Sequence, residues 1–236
     1  MTFSAIKSRA KEALVGRRRS SIGGWLLYFA LVLATSLVFG ILGGFLGFLA
    51  PYEATVILAQ QLSSIGSFVI FAPIVAGLYW LHLDIFDKKD VAAGNIFQGF
   101  SHFGKTLGIT FLIALFTSLW SILLIIPGII KGLAYSQAIF ILRDEPQIGI
   151  LEAITKSRQL MDGAKWRYFF FSLSFLGWWL PLLILPFVLA FTTFISHIVL
   201  LVFLCLYLIF LFFYFVPYYQ TALAGFYRSL NPKEEK

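Results

Sequence analysis

Along this chain, polar positions fall in short clusters separated by long apolar runs, and the runs define the elements. Six of them, at about residues 24–49, 66–86, 106–126, 129–142, 168–194 and 198–216, carry almost no charge. A helix rises 1.5 Å per residue, so roughly 20 apolar residues cross a bilayer. Barrel strands would instead alternate polar and apolar positions, and no such dyad pattern is found. The expected fold class is an all-α polytopic membrane protein forming a single integral domain over residues 1–236, with about six transmembrane helices.

The polar clusters add detail. Residues 1–22 carry Lys7, Arg9, Lys11 and Arg17-Arg18-Arg19, while Ile6, Ala10, Ala13 and Leu14 recur at helical spacing. This is the pattern of a basic amphipathic helix lying on a membrane surface. The apolar run behind it is too long for a signal peptide and has no convincing cleavage site, so it reads as a retained first span. In that span Gly40 precedes Gly44 by four residues, as Gly43 precedes Gly47. Small residues at this spacing let helices approach closely, either within the chain, the favoured reading, or in a homo-oligomer. Residues 50–65 contain no Lys or Arg, with Glu53 their only charge. The next loop opens at Asp87-Lys88-Lys89-Asp90 and runs to Lys105 through Phe97, Phe100 and Phe103, which suit an interface.

The most informative stretch is 120–167. Pro127 lacks a backbone donor and Gly128 adopts turn conformations freely, so the helix begun at 106 is expected to stop there. Either 106–142 is one kinked helix, or the chain reverses at Pro127-Gly128. The positive-inside rule decides between these. With a reversal and a cytoplasmic amino terminus, every basic residue but Lys131 falls on the cytoplasmic side. With a mere kink, Arg143, Lys156, Arg158, Lys165, Arg167, Arg228, Lys233 and Lys236 all move outside. The reversal is therefore expected, with both termini cytoplasmic. The return, 129–142, is only about 21 Å long. Lys131 and Tyr135 share one of its faces. The lysine is expected to snorkel to outer headgroups, with a ligand contact as the rival reading.

Asp144-Glu145-Pro146 has the form of a helix start and Gly163 that of a stop, giving a cytoplasmic surface helix over 144–163. Its apolar stripe is Ile150, Leu151, Ile154 and Met161, and Glu152 and Lys156 make an i,i+4 pair on its wet side. Lys156, Arg158, Lys165 and Arg167 face the headgroups, with Trp166 and Tyr168 as interfacial anchors. The fifth span is kinked by Pro181 and Pro186 and ends in a tight turn at Ser196-His197. Pro217-Tyr218-Tyr219 marks the inner interface, followed by a brief helix and a polar tail over 229–236.

Composition supports this class. The chain is 60% hydrophobic and 12% charged, with a mean hydropathy of +0.89. Soluble domains are about 25% charged. The net charge of +7 fits basic loops facing an anionic leaflet rather than nucleic acid. Cys205 stands alone, so no thiol site is expected. His82, His102 and His197 show no ligand spacing, though His102 could neighbour Asp84 or Asp87 from a solvated loop. No nucleophile elbow, phosphate loop or dinucleotide fingerprint occurs. Asp84, near a span end, comes closest to the buried acids of a proton-coupled pump. Neither an enzyme nor a cofactor or metal is expected.

The segments IPGIIKGLAYSQAIFILRDEP, EAITKSRQLMDGAKW and PYYQTALAGFY resemble the uncharacterised bacterial membrane family DUF975, with ALVGRRRSSIGGW a looser match. The resemblance implies a bacterial inner-membrane protein of about six spans and carries no activity. A looser similarity is to the membrane domain beside some glycerophosphodiester phosphodiesterases, whose catalytic domain is not expected within these 236 residues. The functional expectation is a non-enzymatic role in membrane or envelope homeostasis through anionic lipids or amphipathic molecules. The candidate residues are Pro127, Gly128, Lys131, Tyr135, Asp144, Lys156, Ser157, Arg158, Lys165, Trp166 and Arg167. The alternative is a small transporter or channel-like subunit.

Overall fold

The computed structural model describes residues 1–49, 53–182, 184 and 194–231, and among these every regular element is helical. α1 (Phe3–Ala13), α2 (Arg18–Leu49) and α3 (Glu53–Phe86) lead to a 3-10 segment, Ala93–His102. α4 (Phe103–Leu123), α5 (Ile125–Tyr135), α6 (Ala138–Asp144), α7 (Ile150–Leu160) and α8 (Lys165–Leu173) follow. A 3-10 turn at Leu176–Trp179, α9 (Phe194–Phe210), a π-helical turn at Leu211–Phe215 and α10 (Val216–Leu230) complete the order. Five stretches are long and apolar enough to cross a membrane: Arg18–Leu49, Thr55–Phe86, Ala93–Leu123, Ile125–Asp144 and Val199–Leu230. The described residues are thus all-helical and fit a multi-pass membrane protein. Residues 183 and 185–193 of the expected span 168–194 lie outside the described residues. Its beginning is not one helix, because α8 stops at Leu173 before the 3-10 turn.

The lengths of α2 and α3 explain the architecture. Their 32 and 34 residues give about 48 and 51 Å, against an apolar bilayer core of roughly 30 Å. The surplus builds a packed core at one end. In α3, Val56, Ile57, Leu58, Leu62 and Ile65 are exposed, whereas Ile74, Leu78, Trp80, Leu81, Leu83 and Phe86 are buried. The 3-10 segment packs on this buried half at backbone distance. A Cβ on Gly77 would stand 1.8 Å from the Ile96 carbonyl oxygen, and one on Gly99 1.8 Å from that of Pro73.

α10, expected only as a brief helix, is the centre of that core. Tyr218, Ala222, Leu223, Ala224, Phe226 and Tyr227 are buried. Gly225 brings the helix so close to α3 that a Cβ would meet the Phe86 ring at 2.4 Å. The π turn precedes Pro217, whose missing N–H interrupts the regular ladder there. The apolar stripe of α1 faces protein and not a bilayer. Ile6, Ala10 and Ala13, with Leu14 beyond them, are 0–1% exposed in the protein core. The helical periodicity is right and its partner is protein.

Four further expectations need correction. The chain breaks at Leu124 (φ −158°, ψ 137°), three residues before Pro127. Pro127 sits in the first turn of α5, where its missing donor would have no intrahelical partner. Gly128 packs on α4, a Cβ there falling 2.0 Å from Ser121 Oγ. With Gly132 near Thr117 and the Tyr135 ring 6.2 Å from Phe116, α4 and α5 run antiparallel. Second, Asp144 ends α6, and α7 is capped by Gly149, whose N–H donates to Glu152 Oε2 at 3.3 Å. Third, Lys156 pairs with Glu145 rather than Glu152, and Leu151 is 62% exposed while Ala153, Ile154 and Met161 are buried. Fourth, Ser196-His197 lie within α9, so any turn before that helix falls on residues outside those described. Gly163 does terminate the α7 turn, with φ +72°. In α2, a Cβ on Gly43 would meet Ala59 of α3 at 3.8 Å, whereas Gly40, Gly44 and Gly47 face open space.

Candidate functional site

α5 and α8 enclose a groove of about 520 Å³ lined by Ile126, Ile129, Ile130, Leu133, Gly163, Lys165, Trp166 and Phe169. Its α5 wall is apolar because Ile126, Ile129, Ile130 and Leu133 recur at helical spacing on one face. Lys165 and Trp166 open α8 beside the left-handed Gly163, so the turn presents them to the groove. Lys165 Nζ lies 3.4 Å from Asp162 Oδ1, and Trp166 is 66% exposed. A lysine and an indole beside an apolar trough suit an amphipathic ligand: a chain along the isoleucines, an anionic head at the ammonium.

The other candidate residues divide by role. Lys131 Nζ stands 4.7 Å over the Trp120 ring, so it faces α4 together with Tyr135. Ser157 is buried and mends the break between α5 and α6. Its hydroxyl donates to the Ala134 carbonyl at 2.8 Å and accepts the Gln137 N–H at 3.1 Å. Those backbone groups would otherwise be unsatisfied at the helix ends, which explains a serine there. Arg158 is exposed and outside the groove lining. Arg167 donates to the Met1 carbonyl at 2.6 Å and lies 5.5 Å from the Phe226 ring, tying α8 to the amino terminus.

Asp144 belongs to a cluster that sequence spacing does not reveal. Arg228, 5% exposed, donates to Asp87 through Nε at 2.9 Å and Nη2 at 2.8 Å. It also grips Asp144, with Nη2 3.0 Å from Oδ1 and Nη1 on Oδ2. Tyr227 donates its hydroxyl to Asp144 at 2.7 Å. Nearby, Asp84 accepts from Lys89 at 2.5 Å and Arg143 at 2.6 Å. Three carboxylates and three cations thus join the ends of α3, α6 and α10. Two bidentate forks on one guanidinium satisfy most of its donors. The only sequence hint was Asp84 and Asp87 three apart, with Tyr227-Arg228 following a run of small residues.

Two histidines are accounted for. His102 packs against the Trp80 ring at 6.2 Å instead of reaching Asp84 or Asp87. His82, 1% exposed, lies between Ser21 Oγ at 2.9 Å and the Leu78 carbonyl at 2.7 Å. With Nδ1–H donating to that carbonyl, Nε2 accepts from Ser21. This is a serine–histidine contact, but both groups are sealed from solvent, and the histidine is backed by a carbonyl where a triad needs an acid. Its effect is to join α2 to α3.

A family model described as a protein of unknown function, DUF975, matches residues 122–234. That stretch is a DUF975 region. It begins at the end of α4 and takes in both groove walls, Ser157, Asp144 and Arg228. Asp84, Asp87 and the basic amino terminus fall outside it, as does the ALVGRRRSSIGGW segment. No curated protein and no solved structure matches the chain.

Proposed function

We propose that this protein is a non-enzymatic, multi-pass component of a bacterial cytoplasmic membrane that holds an anionic lipid in the α5/α8 groove, in service of membrane homeostasis. The observation that carries this reading is the apolar trough of Ile126, Ile129, Ile130 and Leu133 with Lys165 and Trp166 beside it. In the proposed topology both termini are cytoplasmic, and α4 and α5 enter the bilayer as a hairpin turning at Leu124 and Pro127. The exposed apolar tip supports this, since Ile122, Leu123, Leu124, Ile125 and Ile126 are 66–82% exposed. In water such a patch would be unstable, whereas in hydrocarbon it is at rest. The basic residues of α8 then meet the inner leaflet, each contributing on the order of 1 kcal/mol.

Native mass spectrometry of the full chain with phosphatidylglycerol tests the groove. Ile129→Trp fills the trough and Lys165→Gln removes its cation, and each is expected to lower lipid retention, whereas Arg158→Gln is not. Equal retention by the wild type, Ile129→Trp and Lys165→Gln would remove the groove from consideration. Topology is read separately by thiol labelling of intact cells in a Cys205→Ser background. A cysteine at 57 should react with an impermeant reagent, and cysteines at 92 and 160 should not.

A further inference from the structure

A second polar pocket lies where α1 crosses the base of α10, far in sequence from the groove. It has a volume of about 420 Å³ and is lined by Phe3, Ser4, Lys7, Ser8, Lys11 and Tyr218. Ser4, Lys7, Ser8 and Lys11 are spaced three or four apart, so one face of α1 presents two ammonium groups with hydroxyls between them. We propose that this pocket binds the phosphate group of an anionic phospholipid headgroup, with Lys7 and Lys11 as its cations.

The charge arrangement favours a bound anion. Lys7 and Lys11 are like charges one helical turn apart, a destabilising pair. Among the described residues no carboxylate forms a salt bridge with either, although Glu12 adjoins Lys11 in sequence. Lys7 Nζ is held by the Ser174 carbonyl at 3.4 Å and the Phe175 ring at 4.3 Å. Lys11 Nζ lies 5.4 Å from the Tyr218 ring. These contacts aim the ammonium groups without neutralising them. Burial, and then the charge of Lys11, lowers the Lys7 pKa, which a bound anion would reverse.

The location fits a lipid phosphate. Above the pocket, α9 and the π turn expose Phe203, Leu206, Phe210 and Phe213, while Tyr218 and the buried core begin just below. Aromatic and basic side chains meet here as at a headgroup boundary, and Arg18 lies 4.7 Å over the Tyr214 ring on the same helical run. A phosphate in the pocket therefore leaves its acyl chains beside an apolar surface. This site is independent of the α5/α8 groove.

The test is an amine-acetylation footprint on the full chain in nonionic detergent, read by mass spectrometry at Lys7 and Lys11 with exposed Lys88 as reference. Phosphatidylglycerol is expected to protect both lysines several-fold more than Lys88, and phosphatidylcholine to protect them less. The Lys7→Gln/Lys11→Gln double variant should bind phosphatidylglycerol roughly 30-fold more weakly, and Lys7→Arg/Lys11→Arg should retain it. Protection by inorganic phosphate equal to that by phosphatidylglycerol supports the phosphate chemistry with a soluble source. Absence of protection by both ligands overturns the proposal, as does unchanged lipid affinity in the glutamine variant. The wild-type footprint decides the matter even where the glutamine variant fails to fold.

Discussion

The two halves of α3 use the same residue types for opposite ends. In the first half Ile57, Leu58, Leu62 and Ile65 are exposed, and in the second Ile74, Leu78, Leu81 and Ile85 are buried. Hydropathy does not tell these halves apart. What distinguishes them is the company of Gly77, His82, Asp84 and Asp87, which let another backbone approach or hold another helix by charge. Hydrocarbon gives an apolar side chain no reason to prefer protein over lipid, so tertiary specificity rests on small residues and satisfied polar groups. The end that holds the packed core is therefore where the fold is specified.

The most severe way to break that end is at Arg228. Its replacement by Met leaves Asp87 and Asp144 without their shared guanidinium in a largely buried setting. Removing one partner of a buried pair costs about 3–5 kcal/mol, and here two carboxylates lose theirs. The detergent-solubilised variant is expected to unfold well below the wild type in a fluorescence-monitored thermal scan. Arg228→Lys should recover only part of the loss, because an ammonium cannot fork to two acids. A wild-type melting curve for Arg228→Met would mean the cluster does not hold α3, α6 and α10 together.

Glycines sharpen the contrast between the ends. Gly77→Ala sets a methyl 1.8 Å from the Ile96 carbonyl oxygen, and backbone cannot swing aside. A loss of about 1–3 kcal/mol or more is expected from such overpacking. Gly47→Ala, in open space near the end of α2, should leave the melting temperature unchanged or slightly raised. Comparable losses from both would erase the distinction between a protein-facing and a lipid-facing end.

Much of this was legible from periodicity, and the misses share a cause. The helical class, the stripe Ile6-Ala10-Ala13 and the unusual character of 120–167 all follow from spacing. Spacing shows that a face is apolar but not whether protein or lipid covers it, so the stripe of α1 reads as membrane-facing although protein covers it. Ala222, Ala224 and Gly225 were the available sign that α10 packs closely. The position of the break was missed because Pro127 suits the first turn of a helix as well as the end of one. The Arg228 cluster joins residues 141 apart in sequence, which no local pattern encodes. The groove shares that difficulty, since one wall was read as a span and the other as an anchor.

A smaller effect is expected at Ser157, which lies inside the DUF975 region but makes only local repairs. In Ser157→Ala the Gln137 N–H and the Ala134 carbonyl lose their side-chain partner in a buried place. An unsatisfied buried group costs about 1–3 kcal/mol. Amide exchange at Gln137 should accelerate by one to two orders of magnitude, in keeping with about 1.4 kcal/mol per tenfold, while exchange within α10 stays slow. Unchanged protection at Gln137 would show that another group catches that donor.

The mildest change is at Lys131, and it probes the α4–α5 pair by the same rule. Its ammonium lies over the Trp120 ring, half-buried between α4 and α5, and no salt bridge involves it among the described residues. A cation on an indole at such a site is worth about 0.5–1 kcal/mol. Lys131→Leu removes that attraction but adds an apolar side chain where hydrocarbon or protein accepts one, so the net shift in melting temperature should be close to zero. Trp120 fluorescence should still change, because the charge above its ring is gone, and Lys131→Arg should preserve the wild-type emission. A loss above about 2 kcal/mol in Lys131→Leu would exceed what a cation–π contact supplies. It would then place Lys131 with Arg228 among the charges that specify the fold, and the contrast between the two ends would need redrawing around the α4–α5 pair.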